Sequence, residues 1–222
     1  NVYFGAVMSI ADVYIYGTKV LTHYGGYLPF SVELTALGLN PGDECVIAVM
    51  TDNSDDRNYP PGKKQATLDF AYHGGIYRDV WMVVTNRIHI TDANKANKVK
   101  GGGVLVQYGE ISKAKAEVQV SVDVDNKSLI GQRLLVLHKL VDKSGATISE
   151  VKQNLILSGG KSSQQTQKIL VKNPDLWHPD SPNLYWLETR IADASGRIID
   201  GVKTRIGIRK VEFRGSEGLW IN

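Results

Sequence analysis

Apolar and polar residues alternate with a period of two along most of the chain. The clearest segment places Val118, Val120, Val122 and Val124 on one face and Gln119, Ser121, Asp123 and Asp125 on the other. This alternation is typical of a β-strand with one buried face. No apolar stripe with a 3.6-residue period is long enough to specify a substantial helix. The sequence therefore predicts an all-β protein.

The alternating segments form two groups, separated by a polar, glycine-rich stretch between Thr85 and Gly103. Seven strands are expected after this stretch, near residues 104–108, 114–125, 131–142, 146–157, 164–171, 184–193 and 197–208. Seven strands in about a hundred residues are typical of an immunoglobulin-like sandwich. Before the stretch, strands are expected near residues 10–16, 30–35, 44–51 and 77–90. Four strands are too few to close a sandwich, so further strands of this domain are expected to precede Asn1.

Composition and charge narrow the possible partners of the protein. The net charge is +3 and the basic residues are scattered among acidic ones, which argues against a nucleic-acid partner. No apolar run approaches the roughly 20 residues that span a bilayer, so no membrane partner is expected. The single cysteine, Cys45, excludes an internal disulfide, and its apolar flanks predict a structural thiol within a strand. Because the chain lacks an initiator Met and ends on an apolar run, an excerpt of a longer protein is expected.

No metal site is predicted. The five histidines show no ligand spacing, such as two residues one helical turn apart. The acidic stretch Asp-Asn-Ser-Asp-Asp-Arg-Asn (52–58) lacks the Gly and the terminal Glu of an EF-hand loop. We interpret it as a solvated loop.

Four motifs occur in an order that resembles glycoside hydrolase family 2, which includes β-galactosidases, β-glucuronidases and β-mannosidases. The first runs from Ala11 to Phe30 and resembles the hairpin and Gly-Gly-Tyr-x-Pro-Phe corner of the family's sugar-binding jelly roll, with Tyr16 where the family usually has Asn. The others are Gly-Gly-Ile-Tyr-Arg-Asp-Val (74–80), Pro-Asp-Leu-Trp-His-Pro-Asp-Ser-Pro-Asn-Leu-Tyr (174–185), and Gly-Ile-Arg-Lys-Val-Glu-Phe (207–213) followed by Gly-Leu-Trp-Ile-Asn (218–222). Together they cover nearly the whole chain.

The resemblance implies three segments: part of the jelly roll at 1–95, an immunoglobulin-like sandwich at 96–208, and at 209–222 a lead-in to a catalytic barrel. It also implies that Asp69 binds sugar hydroxyls, because it occupies the position of a family Asp that reaches into the barrel's active site. Phe70, Tyr72 and His73 are the other candidate substrate-binding residues. Without the resemblance, Asp69 is more typical of a turn-forming residue bonded to nearby backbone, and a structural role is favoured for His73.

Arg78 and Asp79 are expected to stabilise the end of a strand by pairing with neighbouring groups or with exposed backbone. The two catalytic glutamates of a retaining glycosidase are expected outside the chain, so no catalytic residue is predicted within it. No cofactor is expected here, although the resemblance leaves room for Na⁺ or Mg²⁺ in a full enzyme.

The predicted function is the non-catalytic front of a retaining exo-β-glycosidase acting on terminal β-galactosides. The expected partners are a carbohydrate and further copies of the same chain in a homo-oligomer. The galactoside preference rests on the Gly-Gly-Ile-Tyr-Arg-Asp-Val motif, since glucuronidases more often have an Ala-Gly-Ile-His-Arg variant. Specificity for β-glucuronides or β-mannosides stays open, as does a bacterial periplasmic or cytoplasmic location. The alternatives from other classes are a stand-alone carbohydrate-binding protein and a structural tandem of two sandwiches.

Overall fold

The computed structural model describes residues 1–40 and 42–222. Contacts divide the chain into two compact units, Asn1–Val84 and Thr85–Asn222. Every strand pair in the described ranges is antiparallel. The prediction of an all-β protein is confirmed. No described helix has the length and apolar character needed to cross a membrane.

The first unit contains eight strands and two short 3₁₀ helices, at Thr35–Leu37 and Gln65–Thr67. The strands are β1 (Val2–Phe4), β2 (Val7–Met8), β3 (Ile10–Ile15), β4 (Thr18–Tyr24), β5 (Phe30–Val32), β6 (Ile47–Asp52), β7 (Gly75–Ile76) and β8 (Val80–Met82). They form the sheets β5–β1–β8 and β4–β3–β6, together with the pair β2–β7. Residues from both larger sheets meet in one apolar core, whose buried members are Val2, Phe4, Val7, Ala11, Val13, Phe30 and Val32.

Tyr16 lies in the turn of the hairpin between β3 and β4. Tyr16 and Gly17 are the two loop residues, and both have positive φ, 48° and 79°. Positive φ at both positions defines a type I′ turn, whose twist matches that of the flanking strands. Asn tolerates this backbone region better than Tyr does. Tyr16 therefore adds backbone strain to the turn of this hairpin.

The second unit contains twelve strands, one short α-helix and one 3₁₀ helix, α1 (Ala93–Ala96) and Gly215–Glu217. The strands are β9 (Ile88–Ile90), β10 (Val104–Ile111), β11 (Lys115–Asn126), β12 (Gln132–Val141), β13 (Thr147–Leu157), β14 (Ser162–Lys172), β15 (Trp177–His178), β16 (Ser181–Pro182), β17 (Tyr185–Asp193), β18 (Ile198–Ile206), β19 (Val211–Phe213) and β20 (Leu219–Ile221). The seven long strands are those predicted, within a few residues. They form the sheets β10–β11–β14 and β13–β12–β17–β18, as expected for an immunoglobulin-like sandwich.

A polar layer divides the core of this sandwich. One apolar cluster includes Leu140 and Leu187, and the other includes Val136 and Ile191. Between them on the same strands lie His138 and Thr189, both fully buried and paired across β12 and β17. The His138 Nδ1 atom lies 2.9 Å from the Thr189 Oγ1 atom.

One sequence prediction near the unit boundary needs correction. Residues 77–90 do not form one strand, because β8 pairs with β1 whereas β9 pairs with β11. The side chain of Asn86 accepts a hydrogen bond from the backbone N–H of Ile88, 3.3 Å away, at the start of β9. The division by contacts starts the second unit at Thr85, and the domain boundary at residue 95 stays a prediction. The role of 209–222 as a lead-in to a barrel stays a prediction.

Cys45 also differs from the prediction, because it lies two residues before β6 and is only partly buried. The glycine-rich stretch after β9 is more ordered than its composition indicates. There the Asp123 carboxylate, which is fully buried, accepts hydrogen bonds from the Thr91 hydroxyl (3.1 Å) and the Lys98 ammonium (2.7 Å). These contacts tie the segment that carries α1 to β11.

Candidate functional site

The predicted site residues occupy an irregular segment between the 3₁₀ helix Gln65–Thr67 and β7. Asp69 lies in a bend, and residues 71–74 have no regular secondary structure before β7 begins. Two adjacent glycines end the segment, and each has a structural reason. Gly75 has a φ of +93°, a region that L side chains rarely adopt, and a Cβ atom on Gly74 would lie 2.9 Å from the side chain of Asn53.

The four candidates differ in exposure. Asp69 and His73 are exposed, and Phe70 is 51% exposed. Tyr72 is only 6% exposed, which departs from the prediction that it binds substrate. Its ring is enclosed within its own unit and offers no face to a sugar.

Tyr72 instead holds the bend in place through Asp55. Its hydroxyl donates to the Asp55 Oδ1 atom at 3.3 Å, and the same oxygen accepts the backbone N–H of Gln65 at 2.8 Å. The Gln65 side-chain amide donates to the Tyr72 carbonyl at 3.5 Å. The pKa of the Tyr72 phenol is raised, first by burial and then by the nearby Asp55 carboxylate. The neutral phenol therefore remains a donor, and it braces the segment that carries Asp69.

Asp55 was missed by the sequence analysis, which interpreted residues 52–58 as a solvated loop. The neighbouring carboxylates do fit that interpretation, since Asp52 and Asp56 each accept the backbone N–H two residues later, at 2.8 Å. Nothing in the local sequence distinguishes Asp55 from them. Its partners lie ten and seventeen residues further along the chain, so only the tertiary structure identifies it.

The Asp69 carboxylate has no such backbone partner. Within residues 1–40 and 42–222, no hydrogen bond or ion pair involves its side chain. The aspartates that do form turns, Asp52, Asp56, Asp142 and Asp193, all accept a backbone N–H at 2.8–2.9 Å. Asp69 thus leaves its carboxylate open to solvent, and the next residue in the chain, Phe70, has a half-exposed ring.

Arg78 and Asp79, which follow the two glycines, differ in their contacts. Arg78 lies with its guanidinium 5.5 Å from the centre of the Tyr77 ring and donates to the Tyr27 carbonyl at 3.5 Å. This agrees with the stabilising role expected of Arg78. The Asp79 backbone carbonyl accepts the Gly5 N–H at 2.9 Å, but its carboxylate makes no contact of this kind in the described ranges, contrary to prediction.

No group of three or more His, Cys, Asp and Glu side chains that could hold a metal ion occurs in the described part of the chain. The carboxylates of the 52–58 loop are used in turns and in the bond to Tyr72. The chemistry of the candidate site is therefore that of a hydrogen-bond acceptor next to an apolar ring.

Comparison with known proteins relates this chain to a family. Residues 104–209 match the model of Glycosyl hydrolases family 2. A β-galactosidase from Thermoanaerobacter pseudethanolicus is 30% identical over 100% of this chain and 27% of its own length. A β-glucuronidase from Formosa agariphila is 29% identical over 99% of this chain and 22% of its own length. The chain thus spans about a quarter of the length of these relatives.

Solved structures show the same relation. A putative β-galactosidase from Bacteroides fragilis superposes with a TM-score of 0.86 at 30% identity, covering 100% of this chain and 32% of that protein. The match includes both units of the chain.

Proposed function

We propose, from the confirmed resemblance to glycoside hydrolase family 2, that this chain is the non-catalytic N-terminal portion of a retaining exo-β-glycosidase that hydrolyses terminal β-galactosides. In this proposal Asp69 binds hydroxyl groups of the terminal sugar. The observation that carries it is the exposed Asp69 carboxylate, which lacks the backbone hydrogen bond of a turn-forming aspartate and sits on a bend braced by buried Tyr72.

An ionised carboxylate suits this task. Each oxygen accepts strong, directional hydrogen bonds, so one Asp69 side chain can bind two neighbouring sugar hydroxyls. The half-exposed Phe70 ring next to it provides an apolar face for the C–H groups of a pyranose. His73, which is also exposed, supplies a further donor or acceptor within four residues of Asp69.

The bond cleavage itself is assigned to residues outside this chain. Retaining glycosidases use two carboxyl groups about 5–5.5 Å apart, one as acid and one as nucleophile. Contacts to hydroxyls that do not react can still raise the rate, because their binding energy helps to hold the reacting ring in its distorted geometry. Asp69 is therefore proposed to act on catalysis through binding.

Specificity for β-glucuronides is the second candidate. It is favoured by the β-glucuronidase of Formosa agariphila, which is nearly as similar to this chain as the β-galactosidase relative. The two candidates make opposite predictions for a full-length protein that contains this chain. Hydrolysis of p-nitrophenyl β-galactoside in preference to the β-glucuronide supports the first, and the reverse preference supports the second.

The isolated chain tests whether bond cleavage depends on residues outside it. We expect the purified 222-residue chain to hydrolyse neither substrate, while the full-length protein hydrolyses one of them. Turnover by the isolated chain would contradict the assignment of catalysis to other residues. Failure of the full-length protein on β-galactosides, β-glucuronides and β-mannosides alike would instead favour a stand-alone binding protein.

A further inference from the structure

The first unit carries an open depression of about 450 Å³ whose lining differs from the Asp69 segment. Its aromatic residues are Tyr3, Tyr77 and Trp81, and its charged residues are Arg78 and Asp79. The volume falls within the roughly 300–1,000 Å³ typical of small-ligand sites. Aromatic rings with a few polar groups in a concave surface are the usual composition of such sites.

The floor of the depression is built on a sheet. Tyr3 on β1 and Trp81 on β8 are directly opposite each other in the antiparallel register. Because their neighbours Val2 and Phe4 are core residues, Tyr3 and Trp81 project from the opposite, solvent-facing side of the sheet. Trp81 is 58% exposed. A wide aromatic surface is therefore held on a rigid element.

The wall of the depression is fixed by contacts to distant parts of the unit. The Tyr77 hydroxyl donates to the Gly26 carbonyl at 2.6 Å, which sets the ring's orientation. Gly5 allows the wall to approach β1 closely, because a Cβ atom there would lie 2.9 Å from the Arg78 Cβ atom. The Gly5 N–H also donates to the Asp79 carbonyl at 2.9 Å. These contacts preorganise the depression.

Two polar groups at the wall have unused hydrogen-bonding capacity. Arg78 makes one long hydrogen bond, to the Tyr27 carbonyl, so most of its five N–H donors are free for a ligand. The Asp79 carboxylate makes no hydrogen bond or ion pair within the described ranges. The two opposite charges balance, and together they offer donors and acceptors to a polyol.

We propose that this depression is a second saccharide-binding site, specific for neutral hexopyranosides and separate from the Asp69 segment. The sugar's apolar face stacks on Trp81 and Tyr3, its hydroxyls donate to Asp79, and its oxygens accept from Arg78. A neutral sugar is preferred over a uronic acid, because the Arg78 and Asp79 charges balance each other and a uronate would add an uncompensated negative charge to the site. The proposal does not depend on bond cleavage by any protein that contains the chain.

Calorimetric titration of the chain with β-1,4-linked galactotetraose tests this site. We expect Trp81→Ala and Asp79→Asn each to weaken binding by about tenfold or more, and we expect a β-linked uronic-acid tetramer to bind more weakly than the neutral probe. The matched control is Trp220→Ala, which removes a 44%-exposed tryptophan that also stacks with an arginine, Arg214, but lies in the other unit. It should leave the affinity unchanged.

Asp69→Ala should also leave this affinity unchanged, which separates the second site from the proposed function. Thermal melts of each variant show whether it is folded, and Asp79→Asn, an isosteric change at an exposed residue, preserves the test if Trp81→Ala is unstable. Three results would each overturn the proposal: no binding of the neutral tetramer, wild-type affinity in both Trp81→Ala and Asp79→Asn, or stronger binding of the uronic-acid tetramer.

Discussion

Protonation of His138 should destabilise the second unit as the pH falls below neutrality. The imidazole is fully buried in the polar layer of the sandwich, and burial lowers its pKa from 6.5 to about 4. Within the described ranges its Nε2 atom has no hydrogen-bond partner that would stabilise a proton there. The folded state therefore holds a neutral ring.

The direction and size of the effect follow from proton linkage. In the unfolded chain the ring titrates near pH 6.5, so between pH 6.5 and 4 the unfolded state binds more protons than the folded state. The free energy of unfolding therefore decreases as the pH is lowered from 6.5 to 4. It has its full value only above this window. A pKa difference of about 2.5 units corresponds to a loss of about 3 kcal/mol by pH 4.

Urea unfolding at several pH values between 7 and 4 measures this loss. Three of the four tryptophans lie in the second unit and report on it. Since carboxylates also titrate near pH 4, the useful quantity is the pH slope of the wild type minus that of His138→Leu. We expect His138→Leu to remove about 3 kcal/mol of pH dependence, and the control His73→Leu, at an exposed residue of the first unit, to remove none. Equal slopes for wild type and His138→Leu, or a His138 pKa near 6.5 by NMR, would refute this reasoning.

Three further changes test individual contacts by the free energy of unfolding. Tyr16→Asn should stabilise the first unit by about 1 kcal/mol, because Asn tolerates the positive φ of the type I′ turn; destabilisation would contradict this account of the turn. Lys98→Met should destabilise the second unit by about 2 kcal/mol, because it leaves the buried Asp123 carboxylate without its counter-ion; unchanged stability would mean that the pair contributes nothing. Tyr72→Phe should lower the free energy of unfolding by about 1 kcal/mol, because the hydrogen bond to Asp55 is lost. In a full-length protein the folded Tyr72→Phe variant should keep the wild-type kcat/KM. A lowered kcat/KM in this folded variant would return Tyr72 to the candidate substrate-binding residues.

The second unit was predictable because its strands are long and their alternation is regular. In β11, four valines facing one way identified the core face, although Ser121 and Asp123 on the opposite face are also buried. The short strands β1 and β2, with three and two residues, carry no periodic signal, and the sequence did not reveal them. The break between β8 and β9 was missed because it depends on which strands they pair with, and pairing is a tertiary property.

The exposure and contacts of the site residues were also only partly predictable from the sequence. The resemblance identified the segment that carries Asp69, but no pattern in it separates the buried Tyr72 from the exposed Phe70 two residues earlier. The Tyr72 hydroxyl donates to Asp55, seventeen residues earlier in the chain, and no local pattern indicates this contact. Likewise, the free carboxylate of Asp79 could not be predicted, since an aspartate beside an arginine in the sequence is expected to find a partner.

The sugar-binding role of Asp69 is tested most directly by kcat/KM on the preferred p-nitrophenyl glycoside, measured in a full-length protein that contains this chain. We predict that Asp69→Ala lowers kcat/KM by about tenfold or more, that Asp69→Asn, which keeps one acceptor oxygen, lowers it less, and that Asp180→Ala, at an exposed carboxylate in the second unit, leaves it unchanged. Wild-type kcat/KM in a folded Asp69→Ala variant would contradict the proposal and leave Asp69 as a surface residue of the bend.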